Sequence, residues 1–377
     1  MSISAGYSRI FLKYGTSTWV AEKIVCCIRL SRLDMSPLRL LSRHAHISPE
    51  HGTSLEEGTV NALDQLSYIR KNYSTRLAMT KAMTTVAAQL GKFTHFYPAA
   101  LYDYSSNIVE KQLLSKYGDF LSTWIMAHPE ETATPFTTQA PHAWMCWLQG
   151  EDDLPPLLQR ITNVQKHMLE DYQYTVISLE NIDDYVEFPA YIHDKFRAGD
   201  ISPVHMTDLM RVALLEQYGG LWIDATVLLT QPVPHSIFES PFYTIKDLDT
   251  HFAQSQKYPE IRRWEGYMIA GQPHALLYSW MKDFLFNYWK HETRLIHYLM
   301  INQAALIGID NIPIIQDEYM QLPSSNRSCE LLAPQLKSGQ FNSLDALIRD
   351  GTYAFKLSRH VPYEETALST LFATIHA

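Results

Sequence analysis

The chain has no positive excess, few cysteines and no long apolar run, and each shortage removes a class of function. Its 31 lysines and arginines stand against 40 aspartates and glutamates, a formal net charge of -9. Proteins that grip nucleic acid need a positive surface to displace counterions from phosphates, so no nucleic-acid partner is expected. The 4 cysteines, Cys26, Cys27, Cys146 and Cys329, form no Cys-x-x-Cys pair and no zinc-type spacing with histidine. Reduced thiols in the cytoplasm are the expected state. The apolar patch Ile24-Val25-Cys26-Cys27-Ile28 is flanked by Glu22, Lys23 and Arg29, far short of the about 20 apolar residues of a membrane span. It reads as a helix packed on its own domain or as one lying on a membrane surface, which would place the protein peripherally at the inner face. The His-Glu-x-x-His, Gly-x-Ser-x-Gly and Walker-type signatures are missing as well, which removes the common zinc-protease, serine-hydrolase and P-loop readings.

What is present is a folded composition: 377 residues, 46% hydrophobic, 19% charged and 12% aromatic. Leu55 to Leu90 and Asn107 to His128 read as helix. A proline- and threonine-rich stretch, 129–141, has the composition of a linker. The expected organisation is therefore a helical region of unread role over 1–135 and an α/β domain over 136–377. In the second part, strand Ala143 to Leu148, helix Pro155 to Leu169 and strand Tyr174 to Leu179 form a parallel α/β unit. Helix Ser202 to Tyr218, strand Leu221 to Leu229 and a helical run from Ala275 to His297 continue it.

Ser202-Pro203 is an N-cap followed by proline at the first helical position, and Gly219-Gly220 ends the helix and turns the chain into the next strand. Asp208 and Arg211, three apart, share a helix face. Asp224 then falls in the middle of an apolar strand, where a carboxylate costs several kcal/mol unless it is paired or bound. It admits two readings: an internal ion pair, with Arg211 the natural partner, or a perturbed carboxylate beside a ligand cleft.

The runs Ser202-Pro203-Val204-His205-Met206-Thr207-Asp208-Leu209-Met210-Arg211 and Tyr218-Gly219-Gly220-Leu221-Trp222-Ile223-Asp224-Ala225-Thr226 resemble the capsular polysaccharide synthesis glycosyltransferases. These belong with the enzymes that carry a DXD-containing sugar-binding region, among them initiating mannosyltransferase-like proteins and the large clostridial glucosylating toxins. Ala143-Trp144-Met145-Cys146-Trp147-Leu148-Gln149-Gly150-Glu151 is similar to that family's first strand and nucleotide loop. The resemblance implies a GT-A fold with a mixed, largely parallel sheet. It also implies transfer of a sugar from a nucleotide-sugar donor, UDP-linked, to a glycan, lipid-linked or protein acceptor in capsule or exopolysaccharide synthesis, with retention at the anomeric carbon.

Carried over residue by residue, it puts Trp147, Gln149 and Gly150 at the nucleotide and Thr207, Asp208 and Arg211 at the donor sugar. Trp222, Asp224 and Thr226 fall against ribose and sugar, and core packing is the other reading of Trp147 and Trp222. The run Phe355-Lys356-Leu357-Ser358-Arg359-His360 is similar to the late loop that closes such sites, with Lys356 at the diphosphate. Mn²⁺ or Mg²⁺ at Asp224 and His360 is the implied cofactor. Thr226 stands where the DXD pattern has its second acid, and a hydroxyl is a poorer ligand for a hard cation than a carboxylate. Thr226 also motivates a non-catalytic sugar-binding or scaffold protein as one alternative, and a haloacid-dehalogenase-like phosphatase with Asp224 as nucleophile is another.

Overall fold

The structure, a computed structural model, describes residues 52–94, 96–128, 140–248 and 257–375. The apolar patch at 24–28 and residues 129–139 of the expected linker lie outside them. The chain divides after Tyr68 into two units, and the unit Ile69–Ala377 carries every described strand. No helix among the described residues is long and apolar enough to cross a membrane.

Three helices come first: α1 (Gly52–Asn72), α2 (Thr75–Thr94) and α3 (Ala99–Ala127). The α/β part then runs β1 (His142–Cys146), α4 (Pro156–Met168), β2 (Gln173–Ile177), α5 (Ala190–Ala198), α6 (Pro203–Tyr218), β3 (Gly220–Ile223), β4 (Val227–Leu229), β5 (Phe242–Thr244) and β6 (Met268–Gly271). After it come α7 (Leu276–His291), α8 (Met300–Asn311), α9 (Pro313–Gln321), α10 (Leu332–Ser338), β7 (Ala354–Lys356) and α11 (Glu365–Ile375). The main sheet has the order β2-β1-β3-β6-β5. β1 pairs parallel with both β2 and β3, and β6 runs antiparallel to both β3 and β5. Four strands thus share one direction and β6 opposes them. This is the mixed, largely parallel α/β class preceded by helices that the sequence led us to expect.

Alternation along the strands separates two faces. Ala143, Met145, Leu221 and Ile223 enter one core with Leu158, Ile161 and Val164 of α4 and with Val227, Leu228 and Leu229. Trp144 and Trp222 are the intervening residues and both are fully covered. The expected strand over Leu221 to Leu229 is not continuous. It breaks at Asp224-Ala225-Thr226, where the Val227 N–H donates to the Asp224 carbonyl at 2.9 Å. The Gln165 side-chain amide donates to the carbonyls of Asp224 (3.0 Å) and Val227 (2.7 Å), closing the turn. β4 therefore leaves the main sheet and pairs antiparallel with β7, Val227 opposite Lys356. A polar residue sits better at a strand end than among apolar neighbours on both faces, and the chain bends there.

Helices α2 and α3 are joined to the α/β part by buried polar links. The Tyr117 hydroxyl donates to Glu292 at 2.6 Å and Trp124 Nε1 donates to Asp283 at 2.9 Å. His297 lies 2.8 Å from Lys81 Nζ and 3.0 Å from Glu260 Oε1, and Gln303 also donates to Glu260 at 2.8 Å. Burial pushes the Glu260 carboxyl up, but His297 and the hydrogen bonds around it outweigh burial and hold it at about 2. A depressed carboxyl adds stability in full above its ordinary pKa near 4.5, and the contribution fades as pH falls toward 2. Glu260→Gln is expected to lower stability by about 2 kcal/mol at pH 7. In urea melts at stepped pH the gap between variant and wild type should close between about pH 4.5 and pH 2; a gap that stays constant with pH would show that the charge contributes nothing.

Candidate functional site

The connection between α6 and β3 brings the charged residues together. From Arg211 to the end of α6 the chain descends about 10 Å at 1.5 Å per residue, and β3 climbs back about 13 Å to Asp224. Asp224 thus returns level with Asp208 and Arg211, at the carboxyl ends of β1 and β3. Ser202 caps the helix by accepting the His205 N–H at 3.4 Å, with Pro203 at the first position. Gly219 and Gly220 hold positive φ at the other end.

Arg211 is the centre of this arrangement. One guanidinium nitrogen lies 3.5 Å from Asp208 Oδ1 and 3.3 Å from Asp224 Oδ1. Another donates to the Gly266 carbonyl, where a Cβ on Gly266 would crowd it. The guanidinium carbon stands 4.9 Å over the Trp222 ring. Trp222 in turn donates from Nε1 to Asp224 Oδ1 at 3.0 Å. Lys356 Nζ reaches the other carboxylate oxygen, Oδ2, at 2.7 Å. Asp224 is thus ion-paired with Arg211, as the first of its two readings has it, and 25% of its side chain remains exposed.

The electrostatics separate the two aspartates. Burial pushes Asp208 up, Arg211 draws it back and the charge of Asp224 raises it again, to about 7. Burial would also raise Asp224, but Lys356 and Arg211 outweigh it and hold the carboxyl below its ordinary value. One carboxylate stays ionised and the other titrates near neutrality.

The nucleotide-loop candidates lie one strand away. Gly150 (φ 95°) closes a turn by donating its N–H to the Trp147 carbonyl at 2.9 Å. Trp147 is half-buried, donates from Nε1 to the Asp153 carbonyl at 3.1 Å, and carries the Arg359 guanidinium 5.4 Å from its ring centre. Gln149 is exposed on the same turn. Thr207 bridges from α6 to β1, with its hydroxyl 3.9 Å from Cys146 Sγ. The Thr226 carbonyl accepts the Leu357 N–H at 2.9 Å, and this bond aligns the strand that delivers Lys356.

Two carried-over positions stand apart from the others. Trp222 is 1% exposed, its ring covered by Arg211. That is the core-packing reading of this residue, with its Nε1 on Asp224. His360 is exposed at the surface, its backbone N–H donating to Ser358 Oγ at 3.2 Å. Among the described residues it forms no ion pair with Asp224, and no three His, Cys, Asp or Glu side chains gather as a metal-holding cluster.

Sequence reasoning passed over Glu265, Tyr298 and Arg359. Glu265 is buried just before β6, and its carboxyl is held well above the ordinary range by burial and by Glu330; Lys356, Asp224 and Arg211 are the other charges it feels. Its signal was the one that marked Asp224: an acid beside an apolar strand, here Trp264-Glu265-Gly266-Tyr267-Met268. Tyr298 is 55% exposed, its ring 5.9 Å from His205 and 6.1 Å from Tyr258. It carries no local sequence signal.

Comparison with known proteins gives the family. The chain is 28% identical over 160 residues to the O-glycosyltransferase braB of Annulohypoxylon truncatum, an alignment covering 36% of this chain and 38% of that protein. Among solved structures it is similar to PaToxG Glycosyltransferase, with a TM-score of 0.31 and 12% identity over 59% of this chain and 90% of that one. Residues 92–375 match the family described as capsular polysaccharide synthesis protein, a glycosyltransferase-like family, and span most of the chain. The chain belongs to that family.

Proposed function

We propose that the protein transfers a sugar from a nucleoside-diphosphate donor, UDP-linked, to a hydroxyl of a glycan acceptor in capsule or exopolysaccharide assembly, with retention at the anomeric carbon. The observation that carries this reading is the charge chain Asp208, Arg211, Asp224 and Lys356 at the carboxyl ends of β1 and β3. In the reaction the bond from anomeric carbon to phosphate oxygen breaks, with its electron pair going to the diphosphate. The acceptor oxygen bonds to the same carbon, and its proton passes to the departing phosphate oxygen. Positive charge grows on the ring and negative charge on the leaving group, so fixed charges of both signs a few ångströms apart lower the barrier. Asp208 and Asp224 suit the sugar ring, and Arg211 and Lys356 the end of the diphosphate next to it. Trp147 offers the base an aromatic face.

The direct test is a panel of UDP- and GDP-sugars, followed by nucleotide release and by thermal stabilisation. Release or stabilisation by at least one donor is expected; a protein indifferent to all of them, or one that cleaves simple phosphomonoesters instead, would sink the transferase reading. Trp147→Ala is expected to weaken nucleotide binding about tenfold or more, the worth of one base stacked on an aromatic ring. The half-buried ring also packs on the core and holds the Asp153 carbonyl, so a loss of stability of about 1–3 kcal/mol should accompany the weaker binding. Calorimetric titration with UDP checks the first part, and unchanged affinity would remove Trp147 from the nucleotide site.

A further inference from the structure

Family resemblance implies a divalent cation at Asp224 and His360, and the residues present do not fit one. Both oxygens of Asp224 already face cations: Oδ1 lies 3.3 Å from Arg211 and Oδ2 lies 2.7 Å from Lys356. Oδ1 also accepts Trp222 Nε1 at 3.0 Å. The gap between the two aspartates holds the Arg211 guanidinium. A divalent ion would have to displace one of these cations or sit against both, and at this range like charges repel strongly. Thr226 offers a hydroxyl where a second acid would be needed, and His360 is turned to the surface.

Lys356 is not a stray side chain that happens to reach an acid. Its backbone N–H donates to the Cys329 carbonyl at 2.8 Å, and its residue pairs with Val227 across β4 and β7. Its ammonium stands 4.7 Å over the Tyr267 ring. An ammonium has three N–H donors; Asp224 takes one, and 26% of the side chain is open to solvent. Three residues further on, the exposed Arg359 lies over Trp147, and among the described residues no carboxylate pairs with it. Lys356 and Arg359 thus mark two points of one positive track, running from the sugar end of the site to the base end.

We infer that protein cations, Lys356 with Arg211 at the sugar end and Arg359 toward the base, neutralise the donor's diphosphate, so that donor binding does not depend on a divalent metal ion. This rests on the proposed nucleotide-sugar donor. It gives Arg359, which nothing in the motif singles out, a direct part in binding.

Calorimetric titration of UDP and of GDP into the full chain, stripped with chelator and then repeated in Mn²⁺, tests the inference. For the nucleotide that binds, the two dissociation constants are expected to agree within about threefold, since the charge neutralisation comes from side chains in both. Lys356→Met should weaken binding on the order of 10- to 100-fold, with Lys356→Arg restoring most of it. Arg359→Ala should cost about tenfold, without change in the thermal midpoint. Binding that vanishes in chelator and returns with Mn²⁺ would overturn the inference while leaving the transferase reading standing. Failure of both nucleotides to bind under either condition would overturn both. Should Lys356→Met melt early, the wild-type titrations decide alone.

Discussion

Asp224→Asn is expected to lower sugar transfer on the order of 10³-fold, about 4 kcal/mol of barrier, while the protein stays folded. The amide keeps the shape of the carboxylate but loses its charge, and at this site the charge is what two cations and an indole N–H hold in place. Loss of a charge from a paired cluster ordinarily costs several kcal/mol of stability, because the partners are left uncompensated. Here Asp208 softens that cost. It sits at about 7, in part because Asp224 is ionised beside it. With Asp224 neutral, Asp208 ionises more readily and Arg211, 3.5 Å away, keeps a partner. The expected pair of results is therefore a large loss of turnover with a small loss of thermal midpoint. Donor turnover within tenfold of wild type would remove Asp224 from the reaction.

The second large effect concerns backbone. Gly220→Ala is expected to destabilise the protein by on the order of 4 kcal/mol or more, close to the whole margin of a typical domain. Gly220 has a φ of 97°, and a Cβ there would lie 2.4 Å from the His142 carbonyl oxygen on the neighbouring strand. Its neighbour Gly219 is bound as tightly: a Cβ on it would stand 2.6 Å from the Gly271 carbonyl and from the Pro273 nitrogen. Each clash is with backbone, which moves only if the strands part. Gly150→Ala is the control. Its φ of 95° is equally unfavourable, but nothing lies within 4 Å of the added carbon, so only the conformational cost of about 1–2 kcal/mol should appear. Urea midpoints of the two variants compare the effects directly; equal losses would mean that β1 and β3 approach each other less closely than these distances require.

These two sites also show which parts of the molecule were readable from sequence. Ser202-Pro203, Gly219-Gly220 and the apolar alternation after them are local signals, set by capping, by left-handed backbone and by period, and α6 and β3 follow from them. The partnership of Asp224 with Arg211 followed as well, since a helix and the strand after it must lie side by side. The break at Asp224 was not legible. It depends on Gln165, 59 residues earlier in the chain, which donates to the carbonyls on both sides of the turn. Lys356 was visible through resemblance alone, because its place beside Asp224 is set by β4–β7 pairing across 132 residues. Glu265 and Arg359 are placed in the same way, by contacts whose partners are remote in sequence. Trp222 was left between ribose contact and core packing for a related reason: its motif position told of proximity to the site, but only packing shows that Arg211 covers its ring.

The pairing of β4 with β7 has a consequence for the order in which the molecule is completed. The ribbon has only three residues on each side, but Val227, Leu228, Leu229, Ala354 and Phe355 are fully buried in the core shared with the main sheet, so the lysine of the charge chain rests on a firmly packed segment. During synthesis the sheet strands emerge well before β7, and the core they share with Ala354 and Phe355 is filled only when β7 joins them. The charge chain of Asp208, Arg211, Asp224 and Lys356 is thus completed only by a strand that lies 132 residues beyond Asp224.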